Sequence, residues 1–352
     1  MEDVGELKDY NVNITIPECI KDPVLSGGKY FPLPSNNTKP INYVGGYCVV
    51  YPYESRNGIK YAVRCWHAIV LDAQFKAEQI AKKLKEVKLP YFVEFEYVTN
   101  GIFATNKTLP IVRMAWVDAE NIRNFVTKNI TNKPILKRLL ENFVDMVSDL
   151  HKHNISHGDL QHGNILIKPD GAIVLVDYDS MYIDELKNTK NEIAGLHGFQ
   201  HPSRRTDTKP SPKADYFSEL VIYITLMTVI EKPDIWFKYD CDKDSNDLIF
   251  KAEDFDDISK STAYNEVCAI SEDMTKLVVN LKKACQKTHF EELSPLENVL
   301  SDLGVRPPGD IDFSELLTTI TETKTLPKMP KQEDIDFSSL LDMMKEEKKT
   351  NS

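Results

Sequence analysis

The sequence predicts an α+β protein of two lobes, a small β-rich one followed by a larger helical one. Three observations carry this. Residues 41–117 hold short β-branched and aromatic runs around one stretch of helical period. From about residue 121 the apolar residues fall at helical spacing instead. And 352 residues are enough for two cores rather than one.

Residues 1–40, rich in Pro, Gly and Asn, read as an extended lead-in draped over the first lobe. "GGYCVVYPY" and "KYAVRCWHAIV" form a hairpin around Asn57-Gly58. "DAQFKAEQIAKKLKEV" has a helical period with Phe75, Ile80 and Leu84 facing inward. Two strands follow, "YFVEFEYV" and "LPIVRMAWV", separated by a turn at Asn100-Gly101. In the second lobe (118–304), Pro134 opens a long helix through "PILKRLLENFVDMVSDLHKHN". "LVIYITLMTVI" is about half the length needed to cross a bilayer and reads as a buried helix. The tail, 305–352, is polar and reads as a flexible extension. It carries a repeat, "DIDFSELL" (310–317) and "DIDFSSLL" (334–341), each a compact amphipathic block suited to docking in a partner's groove.

A net charge of −11 argues against a nucleic-acid-binding protein, which needs clustered Lys and Arg. The first residues are acidic and lack an apolar run, so no export signal or membrane anchor is expected. Six scattered cysteines without a C-x-x-C pair then suit small buried thiols in a reducing cytoplasm.

The chemistry concentrates in "HGDLQHGNILIKPDGAIVLVDYD". "NILI" and "AIVLV" pair around Pro169-Asp170-Gly171, which brings Asp177 back beside Asn164. A converging amide oxygen and carboxylate suit Mg²⁺ carrying nucleotide phosphates. Asp159, five residues before Asn164, points to the same place and is positioned to accept a proton or orient a hydroxyl.

The order H-x-D-L-x-x-x-x-N followed thirteen residues later by a strand-ending Asp resembles the catalytic loop and metal motif of protein kinases. Within that superfamily the likeness is to a prokaryotic group of eukaryotic-like Ser/Thr kinases with "YAVRC", "HGDLQHGN", "LVDYD" and "QHP". The resemblance implies a bilobal kinase-like fold, phosphoryl transfer from ATP with Mg²⁺, and a protein substrate. It makes "GGYCVVY" a degenerate glycine-rich loop, with Gly45 retained, Tyr47 at the tip and Val50 over the adenine. Ala62 lies against the adenine, Arg64 stands at the strand-lysine position, and Glu78 is its expected helix partner. Met114 borders the pocket, and Trp116 and Val117 offer it backbone groups. Asp215, 38 residues after Asp177, would hold the catalytic loop from behind.

Several positions depart from the pattern. Arg64 replaces a lysine, and Gln161 replaces the catalytic-loop lysine beside Asp159, with His162 as a candidate to compensate. Gly158 replaces the arginine that reads an activation-segment phosphate, and Asp179 replaces a glycine after the metal-binding Asp. Two alternatives stand beside the protein kinase. One is a small-molecule kinase of the aminoglycoside or choline type, disfavoured by the 25 residues from Asp177 to Pro202. The other is a nucleotide-binding pseudokinase.

Overall fold

The computed structural model describes residues 4–190, 195–243 and 245–305. The tail repeats at 310–317 and 334–341 lie outside the described residues. The chain begins with α1 (Leu7–Asn13), β1 (Lys29–Tyr30) and a small hairpin, β2 (Pro32–Leu33) with β3 (Asn36–Pro40). The rest of the small lobe runs β4 (Tyr43–Val44), β5 (Cys48–Glu54), β6 (Lys60–Trp66), α2 (Ala73–Val87), β7 (Phe95–Ala104) and β8 (Lys107–Ala115). Its antiparallel sheet has the order β1-β5-β6-β8-β7, with β4 also on β5.

Period-two alternation gives this sheet two different faces. Val49, Tyr51, Tyr53, Val63 and Cys65 turn outward and would meet water. Tyr10, Ile14, Ile20 and Leu25 from the first forty residues cover them in a second core. The described residues of this segment, 4–40, thus lie over the small lobe and carry regular structure. They add a helix and an edge strand, and Arg113 of β8 pairs with the buried Asp22. The opposite face carries Cys48, Val50, Ala62, Arg64 and Met114 and looks toward the second lobe; Val50 stands opposite Arg64, and Ala62 opposite Met114.

Two local expectations fail. β7 continues through Asn100-Gly101, and the chain turns at Thr105-Asn106, both at positive φ. Gly101 is there because Ile111 would lie 2.4 Å from its Cβ, at a bulge rather than a turn. In α2 the inner residues are Lys76, Ala77, Ile80 and Leu84, while Phe75 is 46% exposed. The apolar stem of Lys76 takes the inward place expected for an aromatic residue.

The large lobe contains β9 (Glu120–Asn121), α3 (Ile122–Lys128), α4 (Lys133–Lys152), β10 (Ile165–Ile167), β11 (Ile173–Leu175), α5 (Tyr216–Glu231), α6 (Asp234–Lys238), α7 (Thr262–Cys268), α8 (Glu272–Cys285) and α9 (Leu296–Leu303). Pro134 sits in the first turn of α4, whose N-cap Asn132 accepts from the Ile135 N–H. Phe217 to Ile230 of α5 are buried on every side, as an apolar helix without a polar face requires. No helix among the described residues is long and apolar enough to cross a membrane.

Candidate active site

The site is built from its back. Asp215, at the head of α5, accepts hydrogen bonds from the backbone N–H groups of both His157 and Gly158. Arg204 donates to the Gly158 carbonyl (3.2 Å), so that peptide is gripped from two elements. Gly158 has φ +78°, and a Cβ there would lie 2.0 Å from the Ser180 carbonyl oxygen. No side chain fits at this position, so the missing arginine is sterically excluded.

β10 and β11 pair in the expected register, Ile165 opposite Leu175 and Ile167 opposite Ile173. The Val176 N–H continues the pairing onto the Asn164 carbonyl (3.1 Å), and this sets Asp177 beside Asn164. Asn164 Nδ2 donates to the Asp159 carbonyl (2.8 Å) and to Asp159 Oδ2 (3.2 Å). Its amide oxygen therefore faces away from Asp159. Asp177, at φ +67°, keeps its side chain 48% exposed. Asn164 and Asp177 thus offer an amide oxygen and a carboxylate, hard donors that suit Mg²⁺ sharing its remaining positions with phosphate oxygens and water. Among the described residues no group of three or more His, Cys, Asp or Glu could hold a metal alone.

Asp159 is nearly buried. Burial raises its carboxyl above the usual range, the nearby His157 opposes this, and Asp177 adds to it. Its Oδ1 accepts from the Leu196 N–H (3.2 Å), so the segment returning toward α5 lies directly on this carboxylate. Gly195, at φ +75°, permits that approach, since a Cβ would lie 2.6 Å from Asp159 Oδ1. Composition and spacing gave no warning of this contact.

Gln161 does not reach toward Asp159. Its Oε1 accepts from the Gly163 N–H (2.6 Å) and closes its own loop. His162 does not replace the missing lysine either. It is buried against Phe199, and burial pushes its pKa down to about 3, leaving a neutral ring.

On the small-lobe side of the cleft, Gly45 N–H bonds to the Cys48 carbonyl (2.8 Å), and Tyr47 is tied through its carbonyl to the N–H groups of His67 and Ala68. The result is a short closed turn. Trp116 spends its N–H on the Lys60 carbonyl (3.1 Å), so of the pair expected to serve the adenine, Val117 is the better donor. Ala62 and Met114 stand opposite each other on the face toward the cleft.

The largest correction concerns Arg64. Glu78, its expected partner, instead accepts from Gln74 on an exposed face of α2 (2.8 Å). The guanidinium forks onto Asp179, with NH1 to Oδ1 at 2.7 Å and NH2 to Oδ2 at 2.5 Å. NH1 also lies 3.1 Å from Asp177, and Nε donates to Cys48 Sγ (2.8 Å). Glu78, one position past the buried Ala77, points off the inner face of α2 and cannot reach the sheet, whereas Asp179, on the turn after β11, lies beneath Arg64.

Residues 44–295 match the family described as protein kinase domain. Among curated proteins, the chain is 26% identical over 197 residues to a probable serine/threonine-protein kinase zyg-1 of Caenorhabditis elegans, a match covering 54% of this chain and 26% of that protein. It is 25% identical over 117 residues to the serine/threonine-protein kinase ste20 of Emericella nidulans, covering 33% of this chain and 14% of that protein. It is also 27% identical over 88 residues to the dual specificity protein kinase zak2 of Dictyostelium discoideum, covering 23% and 14%. The matches span about a quarter or less of each relative's length. Matched over most of its length, the chain belongs to the protein kinase domain family.

Proposed function

We propose that this chain transfers the γ-phosphoryl group of Mg·ATP to a hydroxyl of a protein, most readily Ser or Thr. One observation carries the reading: Asp159, Asn164 and Asp177 converge on a loop whose backbone is pinned by Asp215. Asp159 orients the acceptor hydroxyl and takes its proton as the oxygen bonds to phosphorus and the bond to ADP breaks. Its partly buried carboxyl, raised above the usual range, is a better proton acceptor than a fully exposed one. Asn164 and Asp177 would hold Mg²⁺, which neutralises charge on the phosphates when bound. Ala62, Met114 and Val50 would receive the adenine.

A nucleotide-binding module without transfer is the second reading. It is favoured by Gln161 folding onto Gly163 and by the neutral His162, which leave the transferring group short of a cation. The tail repeats are read as docking segments for a protein partner. The chain is read as working in a reducing compartment such as the cytoplasm, since all six cysteines are free thiols. Incubating the full chain with γ-labelled ATP, Mg²⁺ and dephosphorylated casein, then hydrolysing the product, tests the reading. Labelled phosphoserine or phosphothreonine is expected. Nucleotide binding without any labelled product would favour the module.

A further inference from the structure

We infer that Asp179, and not an acid of α2, positions Arg64, so that the nucleotide-side cation is set by the turn after β11. This deepens the proposed reading of the cleft as an Mg·ATP site and rests on it. Two departures from the kinase pattern, arginine for lysine at 64 and aspartate for glycine at 179, become one feature. A planar guanidinium and a planar carboxylate make two parallel bonds, a geometry that a lysine ammonium cannot match. The two side chains are 7% and 16% exposed, so the pair is screened little by water.

Asp179 is itself held. Tyr178 before it donates to the Leu175 carbonyl (2.7 Å) and packs edge-on against Phe92 and Phe95. Ser180 after it backs onto Gly158 of the catalytic loop. The pair therefore ties the small-lobe sheet directly to the peptide that carries Asp159. Helix α2 offers no acid in exchange. Its buried inner position is Lys76, whose Nζ donates to the Lys190 carbonyl (2.7 Å), while Glu78 looks outward to Gln74. A swing of α2 thus has no acid to bring to or take from Arg64, and assembly of the cation site depends instead on the lobes meeting at the turn after β11.

The test uses the full chain and a mutant cycle, with Mg·ATP dissociation constants from calorimetry and kcat and KM from transfer to casein. Asp179→Ala is expected to lower kcat about tenfold or more while weakening Mg·ATP binding only about threefold, because a misplaced cation fails mainly where charge develops. Asp179→Glu should restore part of kcat, and Glu78→Gln should stay within about twofold of wild type on both measures. In an Arg64→Gln background, Asp179→Ala should cost nothing further, as expected when one residue acts through the other. The inference is overturned if Glu78→Gln matches the loss from Asp179→Ala, or if that loss persists unchanged without Arg64. A chain that binds Mg·ATP but transfers nothing would defeat the enzymatic reading alone, since the binding cycle still reads the pair. A chain that binds no Mg·ATP would overturn both.

Discussion

The 157–177 loop and the Arg64 side of the cleft are built by opposite means. From His157 to Asp177 the loop's backbone is fixed by bonds to Asp215 and Arg204 and by the β10–β11 pairing. Across the cleft, Arg64 is held by side chains alone: Asp179, Asp177 and Cys48. Backbone-held parts tolerate few residue types, because sterics decide them. Parts held by side chains can be rewired by exchanging partners.

The sharpest way to break this comparison is Gly158→Ala. Its Cβ would strike the Ser180 carbonyl at a positive φ, so a loss of about 3–5 kcal/mol is expected in denaturant unfolding. A loss below about 1 kcal/mol would mean that the loop yields easily, contrary to the contrast drawn here.

The next effect lies beneath the loop. His151, near the end of α4, bonds Glu219 of α5 through Nε2 and Glu297 of α9 through Nδ1, each at 2.9 Å. Burial works against its charge, but the two acids win and raise its pKa from 6.5 to about 9. Stability from this group is complete below about pH 6.5 and fades as the pH climbs through 9. Glu219 is raised from 4.5 to about 7, by burial first and against the pull of His151, so its ionisation subtracts stability earlier, as the pH climbs from about 4.5 through 7. His151 should therefore remove on the order of 1–3 kcal/mol between neutral and alkaline pH. Thermal melts of wild type and His151→Gln should show the slope in the first and a flatter profile in the second. Parallel profiles would exclude the triad.

The smallest effect is expected at the glycine turn. A Cβ on Gly46 meets nothing within 4 Å, so Gly46→Ala should change stability by no more than about 0.5 kcal/mol. A large loss would place hidden constraints on the side of the cleft described here as permissive.

The same contrast governs what could be read from the sequence. Asp159, Asn164 and Asp177 were legible because one continuous stretch carries residue types, spacing and a strand–turn–strand signal together. Asp215 was legible by order and spacing. The partner of Arg64 was not, because it lies 115 residues away and its residue type departs from the family pattern. Glu78 and Phe75 show the limit of helical periodicity: a shift of one position turned Lys76 inward and both of them out. The role of residues 4–40 was hidden because the helical spacing of Leu7, Tyr10 and Ile14 covers only one short helix, and Ile20 and Leu25 stand among turn-forming residues.

The central claim is that the pinned loop does chemistry while the opposite side of the cleft holds the nucleotide. Phosphoryl transfer and Mg·ATP affinity measured together for wild type and Asp159→Asn test it most directly. The variant should bind Mg·ATP within about threefold of wild type and lose transfer by about 10²–10⁴-fold, the range for a positioned acid–base group. Equal transfer by both proteins, or a loss explained wholly by weaker nucleotide binding, would contradict it.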